Sequence, residues 1–155
     1  MRVRRSILIA LPIGVNMQID WQHVSEARKA KCLVMLRFLK RIAKKEQIEV
    51  LKVGFHPHHR PDCFDAETDF EDKSIVFCGS IDRITVLHEL AHLSVDQPHT
   101  RAWAERLLEY HDRYLPADVR ARADRSIALN YGKGATAYYR KYGKRVRRNM
   151  ATIRS

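Results

Sequence analysis

Residues 88–92 of this chain read His88-Glu89-Leu90-Ala91-His92, two imidazoles four positions apart with a carboxylate beside the first. On a helix, side chains at i and i+4 project from one face, so His88 and His92 can offer ring nitrogens to a single ion. Glu89 is the next residue round from His88, within reach of a metal-bound water without serving as a ligand. Val86, Leu87, Leu90, Ala91 and Leu93 surround the motif, so the helix is expected to be buried. Two imidazoles and a carboxylate are costly in apolar surroundings unless something satisfies them, and Zn2+ does so. The same five letters on a soluble helix can also be surface decoration. The apolar context argues against that, and so does a third histidine, His99, after the turn Val95-Asp96-Gln97-Pro98. A catalytic zinc takes three protein ligands and keeps a fourth position open, so His88, His92 and His99 form the expected ligand set.

Spacing separates this motif from other zinc chemistries. A metzincin repeats H-E-x-x-H-x-x-G-x-x-H, which would put Gly at 95 and His at 98, where this chain has Val95 and Pro98. A thermolysin-type site takes a glutamate from a later helix. Glu105 and Glu109 could supply it, but His99 is better placed beside the turn. The P-C-x-x-C of zinc deaminases is absent.

The elements that must position these residues follow from pattern. Residues 3–19 are rich in Val, Ile and Leu and suit a strand or an irregular lead-in. Asp20 is the expected cap of a long helix over 21–46, with Val24, Ala27, Met35, Leu39 and Ile42 as its apolar stripe. Eight cations surround that stripe against Glu26 and Glu46, and a solvated outer face is favoured over a nucleic-acid-binding one. Residues 48–55 alternate as a half-buried strand, and residues 64–70 suggest a second with acids on one side. Between them lies a proline-punctuated loop with His56, His58, His59 and Cys63, whose spacing matches no compact metal site. Residues 73–78 (KSIVFC) make the clearest strand, one able to hold an extended substrate if its edge is open.

After Gly79, Ser80 is the expected N-cap of the motif helix over 81–95, with Asp82 favourable in its first turn. A further helix is expected to open with Pro98 in its first turn. It would set His99, Trp103, Leu107, Tyr110 and Tyr114 along one face. A last helix should run from about 117 to 130, anchored by Val119, Ala123 and Ile127. Tyr131, His56, His58 and His59 are candidates to steady an oxyanion.

The fold class is therefore α+β. It comprises a long N-terminal helix, a small sheet of about three strands, the H-E-x-x-H helix, two further helices and a basic tail. At 155 residues this is a single domain, assigned to 1–132, with a basic extension at 133–155. The net charge of +11 is concentrated, since the last 31 residues hold nine cations and no acid. Tyr138, Tyr139 and Tyr142 interleave with Arg140, Lys141, Lys144, Arg145, Arg147 and Arg148, a composition suited to DNA or RNA contact and equally to a disordered solubilising tail. Three cysteines with no C-x-x-C pair fit a reducing compartment. No apolar run spans a membrane, and the first residues lack the small-residue exit of a signal peptide, so a cytoplasmic location is expected.

His88-Glu89-Leu90-Ala91-His92-Leu93, followed by His99 and four residues later by Trp103, resembles the SprT-like, WLM and YgjP-like small zinc metallopeptidases. The resemblance covers roughly residues 73–110. It implies a zincin-like fold with a short strand before the motif helix, zinc held by His88, His92 and His99, and Glu89 as catalytic base of a peptidase acting on protein or peptide. Thr100 stands where a glycine often follows the third histidine, the turn before His99 is shorter than in many SprT-like members, and no zinc-ribbon cysteines follow. Two other readings stay open: a nucleic-acid-binding protein with a structural zinc, and a zinc-dependent nuclease.

Overall fold

A computed structural model of the chain describes residues 17–21, 24–56, 65–79 and 81–131, with side chains described as far as Arg125. Four strands and four helices follow in the order β1 (Gln18–Trp21), α1 (Glu26–Glu46), β2 (Lys52–Phe55), β3 (Ala66–Asp69), β4 (Ser74–Phe77), α2 (Arg83–Val95), α3 (Arg101–Tyr114) and α4 (Ala117–Tyr131). The α+β class holds, with four strands where about three were expected.

The first departure comes at the start of α1. Asp20 and Trp21, expected at a helix start, belong to strand β1. The Trp21 ring stacks on Phe55 with centroids 4.6 Å apart, and Trp21 pairs with Phe55 across the parallel ladder. That packing holds the backbone extended, and the helix waits for the next capping residue. Ser25 takes the role, its hydroxyl accepting from the Arg28 amide at 3.3 Å. Gln47 closes the helix in the left-handed region at φ 56°.

The sheet runs β1-β2-β4-β3, with β1, β2 and β4 parallel and β3 antiparallel to β4. Parallel neighbours need a crossover, which α1 supplies between β1 and β2. Strand β4 pairs on both sides, so its edge is closed to a substrate and the expectation of strand addition there is corrected. Among the described residues β3 is the outer strand on that side of the sheet. The all-apolar centre of β4, Ile75-Val76-Phe77, fits an interior strand.

Helices α1 and α2 pack against each other, and α2 also lies on β3 and on α3. The core between helices and sheet holds Leu39, Ile42, Phe55, Ile75, Phe77, Leu87, Leu90, Leu107 and Trp103, all fully buried. Each such side chain contributes about 1.5–3 kcal/mol over its exposed state, enough to fix α2 in place. No helix among the described residues is long and apolar enough to cross a membrane.

Candidate metal centre

Helix α2 carries the motif. Its N-cap is Asp82, whose carboxylate accepts from the Thr85 amide at 2.8 Å, and the expected cap Ser80 lies outside the described residues. Val86, Leu87, Leu90, Ala91 and Leu93 face the core. Helical spacing leaves His88 and His92 on the flank that turns towards α3. After Val95 the chain reverses through Asp96 in the left-handed region at φ 55°, and α3 begins only at Arg101. Pro98 and His99 therefore precede the helix instead of opening it. Thr100 is the N-cap, and its hydroxyl accepts from the Trp103 amide at 3.4 Å.

The three histidines meet at this reversal. His88 Nε2 lies 3.1 Å from His99 Nε2 and 3.2 Å from His92 Nε2. All three ligand atoms lie within 4.8 Å of one another. Two zinc–nitrogen bonds of about 2.0–2.1 Å at a near-tetrahedral angle put their nitrogens about 3.1–3.4 Å apart. The two contacts made by His88 match that separation.

The tautomers fit as well. His92 Nδ1–H donates to the Gln97 carbonyl at 2.8 Å, which leaves its Nε2 with a lone pair aimed at His88. Three ring nitrogens turned towards one another repel unless a proton or a cation lies among them. Burial holds them unprotonated. The His88 pKa is pushed down to about 3, by burial first and then by its His92, His99 and His111 neighbours. His92 is pushed down to about 4, again chiefly by burial, and His99 is lowered for the same reason. Neutral imidazoles are the form a zinc ion binds, so the donor set fits the metal.

Trp103 underlies the cluster. Its ring stacks on His92 at 5.0 Å, meets His88 and His99 edge-on at 4.8 and 4.5 Å, and its indole N–H donates to the His88 carbonyl at 3.4 Å. Phe70 also meets His92 edge-on, with ring centroids 6.1 Å apart.

Glu89 sits beside the histidines and is not one of the clustered donors. It is buried at 4% exposure, with Oε1 3.9 Å from His88 Nε2. Burial pushes its carboxyl up to about 7. A hydrogen bond from Thr68 works against that rise, and the Glu67 charge adds to it. The bond is short, 2.6 Å from Thr68 Oγ1 to Glu89 Oε2. Thr68 went unnoticed in the sequence, where the only hint was its place opposite the acids in an alternating strand.

The alternative third ligands do not join the cluster: Glu105 pairs with Arg101 at 3.3 Å and Glu109 with Arg106 at 3.4 Å. His56 directly follows β2, its amide donating to the Phe77 carbonyl at 2.9 Å. His58, His59, Cys63, the Tyr131 side chain and the tail cations Arg140, Lys141, Lys144, Arg145, Arg147 and Arg148 lie outside the described residues.

No family model matches the chain, and no curated protein matches it. Among solved structures, the crystal structure of Wss1 from Saccharomyces cerevisiae is similar, covering 65% of this chain and 90% of that one at 16% identity and a TM-score of 0.48. A likeness at that level assigns no residue a role.

Proposed function

We propose that this chain is a zinc-dependent peptidase in which His88, His92 and His99 hold the ion and Glu89 is the general base. The observation that carries the reading is the placement of a buried carboxyl beside three convergent ring nitrogens, with Glu89 Oε1 3.9 Å from His88 Nε2 and outside the donor set. A structural zinc needs its ligands alone. A carboxyl held beside the ion without being one of its ligands suits hydrolysis. The resemblance of the histidine spacing to small zinc metallopeptidases supports the same class.

Zinc, when bound, polarises a substrate carbonyl and brings the pKa of a coordinated water down to about 7. Glu89 would take the attacking water's proton on Oε1, the oxygen on the histidine side of its carboxyl. As the water oxygen bonds to the carbonyl carbon and the C–N bond breaks, Glu89 would return that proton to the leaving nitrogen. Gln97 and Trp103 keep the His92 ring in the tautomer and orientation that leave Nε2 available. An extended peptide pairs with the outer edge of β3, the strand whose Thr68 touches Glu89. In this proposal Arg140, Lys141, Lys144, Arg145, Arg147 and Arg148 contact DNA or RNA and bring it near the site.

The test combines elemental analysis with hydrolysis of an unfolded protein such as casein. Wild type and Glu89→Gln should both carry near-stoichiometric zinc, while Glu89→Gln loses about 10²–10⁴-fold in turnover. His99→Ala should lose zinc. Full activity in Glu89→Gln would sink the mechanism, and unchanged zinc in His99→Ala would move the third ligand elsewhere.

A further inference from the structure

Strand β3 presents two different things from the same residue. In an antiparallel pair, residues alternate between those that exchange hydrogen bonds with the partner and those whose backbone groups point to the other side. The Cys78 amide donates to the Asp65 carbonyl at 2.9 Å, which marks that pair as hydrogen-bonded. The register Ala66↔Phe77, Glu67↔Val76, Thr68↔Ile75 and Asp69↔Ser74 then gives Glu67 and Asp69 to β4. The N–H and C=O groups of Ala66 and Thr68 are left facing the outer edge. The Thr68 side chain meanwhile leaves the sheet towards α2, where its hydroxyl donates to Glu89 Oε2 at 2.6 Å.

We infer that Thr68 is a positioning residue, one that fixes which oxygen of Glu89 is basic and ties that choice to substrate pairing on β3. The inference rests on the peptidase reading above. A buried carboxylate without a partner can rotate about its last torsion, which is broad and roughly two-fold. The Thr68 hydroxyl removes that freedom by occupying Oε2, and Oε1 stays turned to the histidines, 3.9 Å from His88 Nε2. A peptide paired with the Thr68 backbone stiffens β3 at the residue that holds the base. The base is thereby aligned when a substrate is present, which is worth more to catalysis than to binding.

Four variants test this: Thr68→Val, which keeps shape and removes the hydroxyl, Thr68→Ser, which restores it, Glu89→Ala, and Thr68→Val combined with Glu89→Ala. Zinc content should stay near wild type in all four. Thr68→Val should lower kcat at least about ten-fold with KM changed less than about three-fold, and Thr68→Ser should return kcat to within about three-fold of wild type. Independently of activity, Thr68→Val should lower the urea midpoint of unfolding in the Glu89 protein but not in Glu89→Ala. Wild-type kcat in Thr68→Val, or Thr68→Ser as impaired as Thr68→Val, overturns the positioning role alone. A zinc-loaded wild type that hydrolyses no peptide overturns the peptidase reading and this role with it. In that case the unfolding comparison still reports whether the hydroxyl and carboxyl are coupled.

Discussion

At the scale of single residues, the site sets two opposed titrations against each other. In the metal-free protein the buried His88 and His92 rings bind a proton only near pH 3 and 4, against an ordinary value of 6.5. The unfolded chain takes up those protons first, so their contribution to stability is complete above about pH 6.5 and is lost as pH falls below it. Glu89 behaves in the opposite sense. Its folded pKa of about 7 lies above the ordinary 4.5, so the native state holds the extra proton and stability is lost as pH rises between those values. Replacing Glu89 by Gln removes only the second effect. In chelator, the stability advantage of Glu89→Gln over wild type should therefore grow between about pH 4.5 and 7, by on the order of 2–3 kcal/mol, and then level off. Urea titrations of both proteins across that range measure it, and a constant difference would show that the carboxyl ionises normally. The three histidines were legible as a group because helical spacing and a short turn bring them together. Thr68 was not, since its contact with Glu89 crosses from sheet to helix, and nothing local fixes which face of β3 meets α2.

At the scale of elements, the motif helix depends on how it starts. Asp82 satisfies the Thr85 amide at 2.8 Å and the Thr85 hydroxyl at 3.1 Å, groups that have no partner within the first turn. Asp82→Ala should cost about 1 kcal/mol in chemical denaturation, Asp82→Asn much less. Neither should change zinc stoichiometry, because His88 lies more than a turn further in and is held by Trp103. Loss of zinc in Asp82→Ala would mean that fraying reaches the histidines. Helices α2, α3 and α4 and strand β4 are legible in the sequence, where a helical or apolar pattern runs for a whole element. Helix starts are not, because several capping residues compete. Asp20 and Ser25 are equally good caps by chemistry, and the choice is made by Trp21 stacking on Phe55, thirty-four positions away. Nor does the local pattern of β4 say whether its edge is open. Strand order is a property of crossovers and packing, although a run as apolar as Ile75-Val76-Phe77 already argues for burial on both faces.

At the scale of the whole molecule, charge is sorted along the chain. Helix α1 carries eight cations, the stretch 65–72 carries five acids and no cation, and the last 31 residues carry nine cations and no acid. Separation of this kind sets long-range steering and contributes little to the fold. If the proposed nucleic-acid contact belongs to the tail, its strength must come from counterion release, and the salt dependence counts the phosphates neutralised. Replacing Arg140, Lys141, Lys144, Arg145, Arg147 and Arg148 by Gln should then weaken binding to a short duplex. The slope of log affinity against log salt should fall by up to roughly 5, since each duplex phosphate contact contributes about 0.9. Fluorescence anisotropy at several salt concentrations measures both quantities. Wild-type affinity and slope in the substituted protein would exclude the tail. They would transfer the contact to α1, where Arg37, Lys40, Arg41 and Lys44 share an exposed face. Neutralising those four would then reduce the slope instead. Zinc content serves as the internal control in either case, because the proposed donors are His88, His92 and His99 and no histidine is substituted.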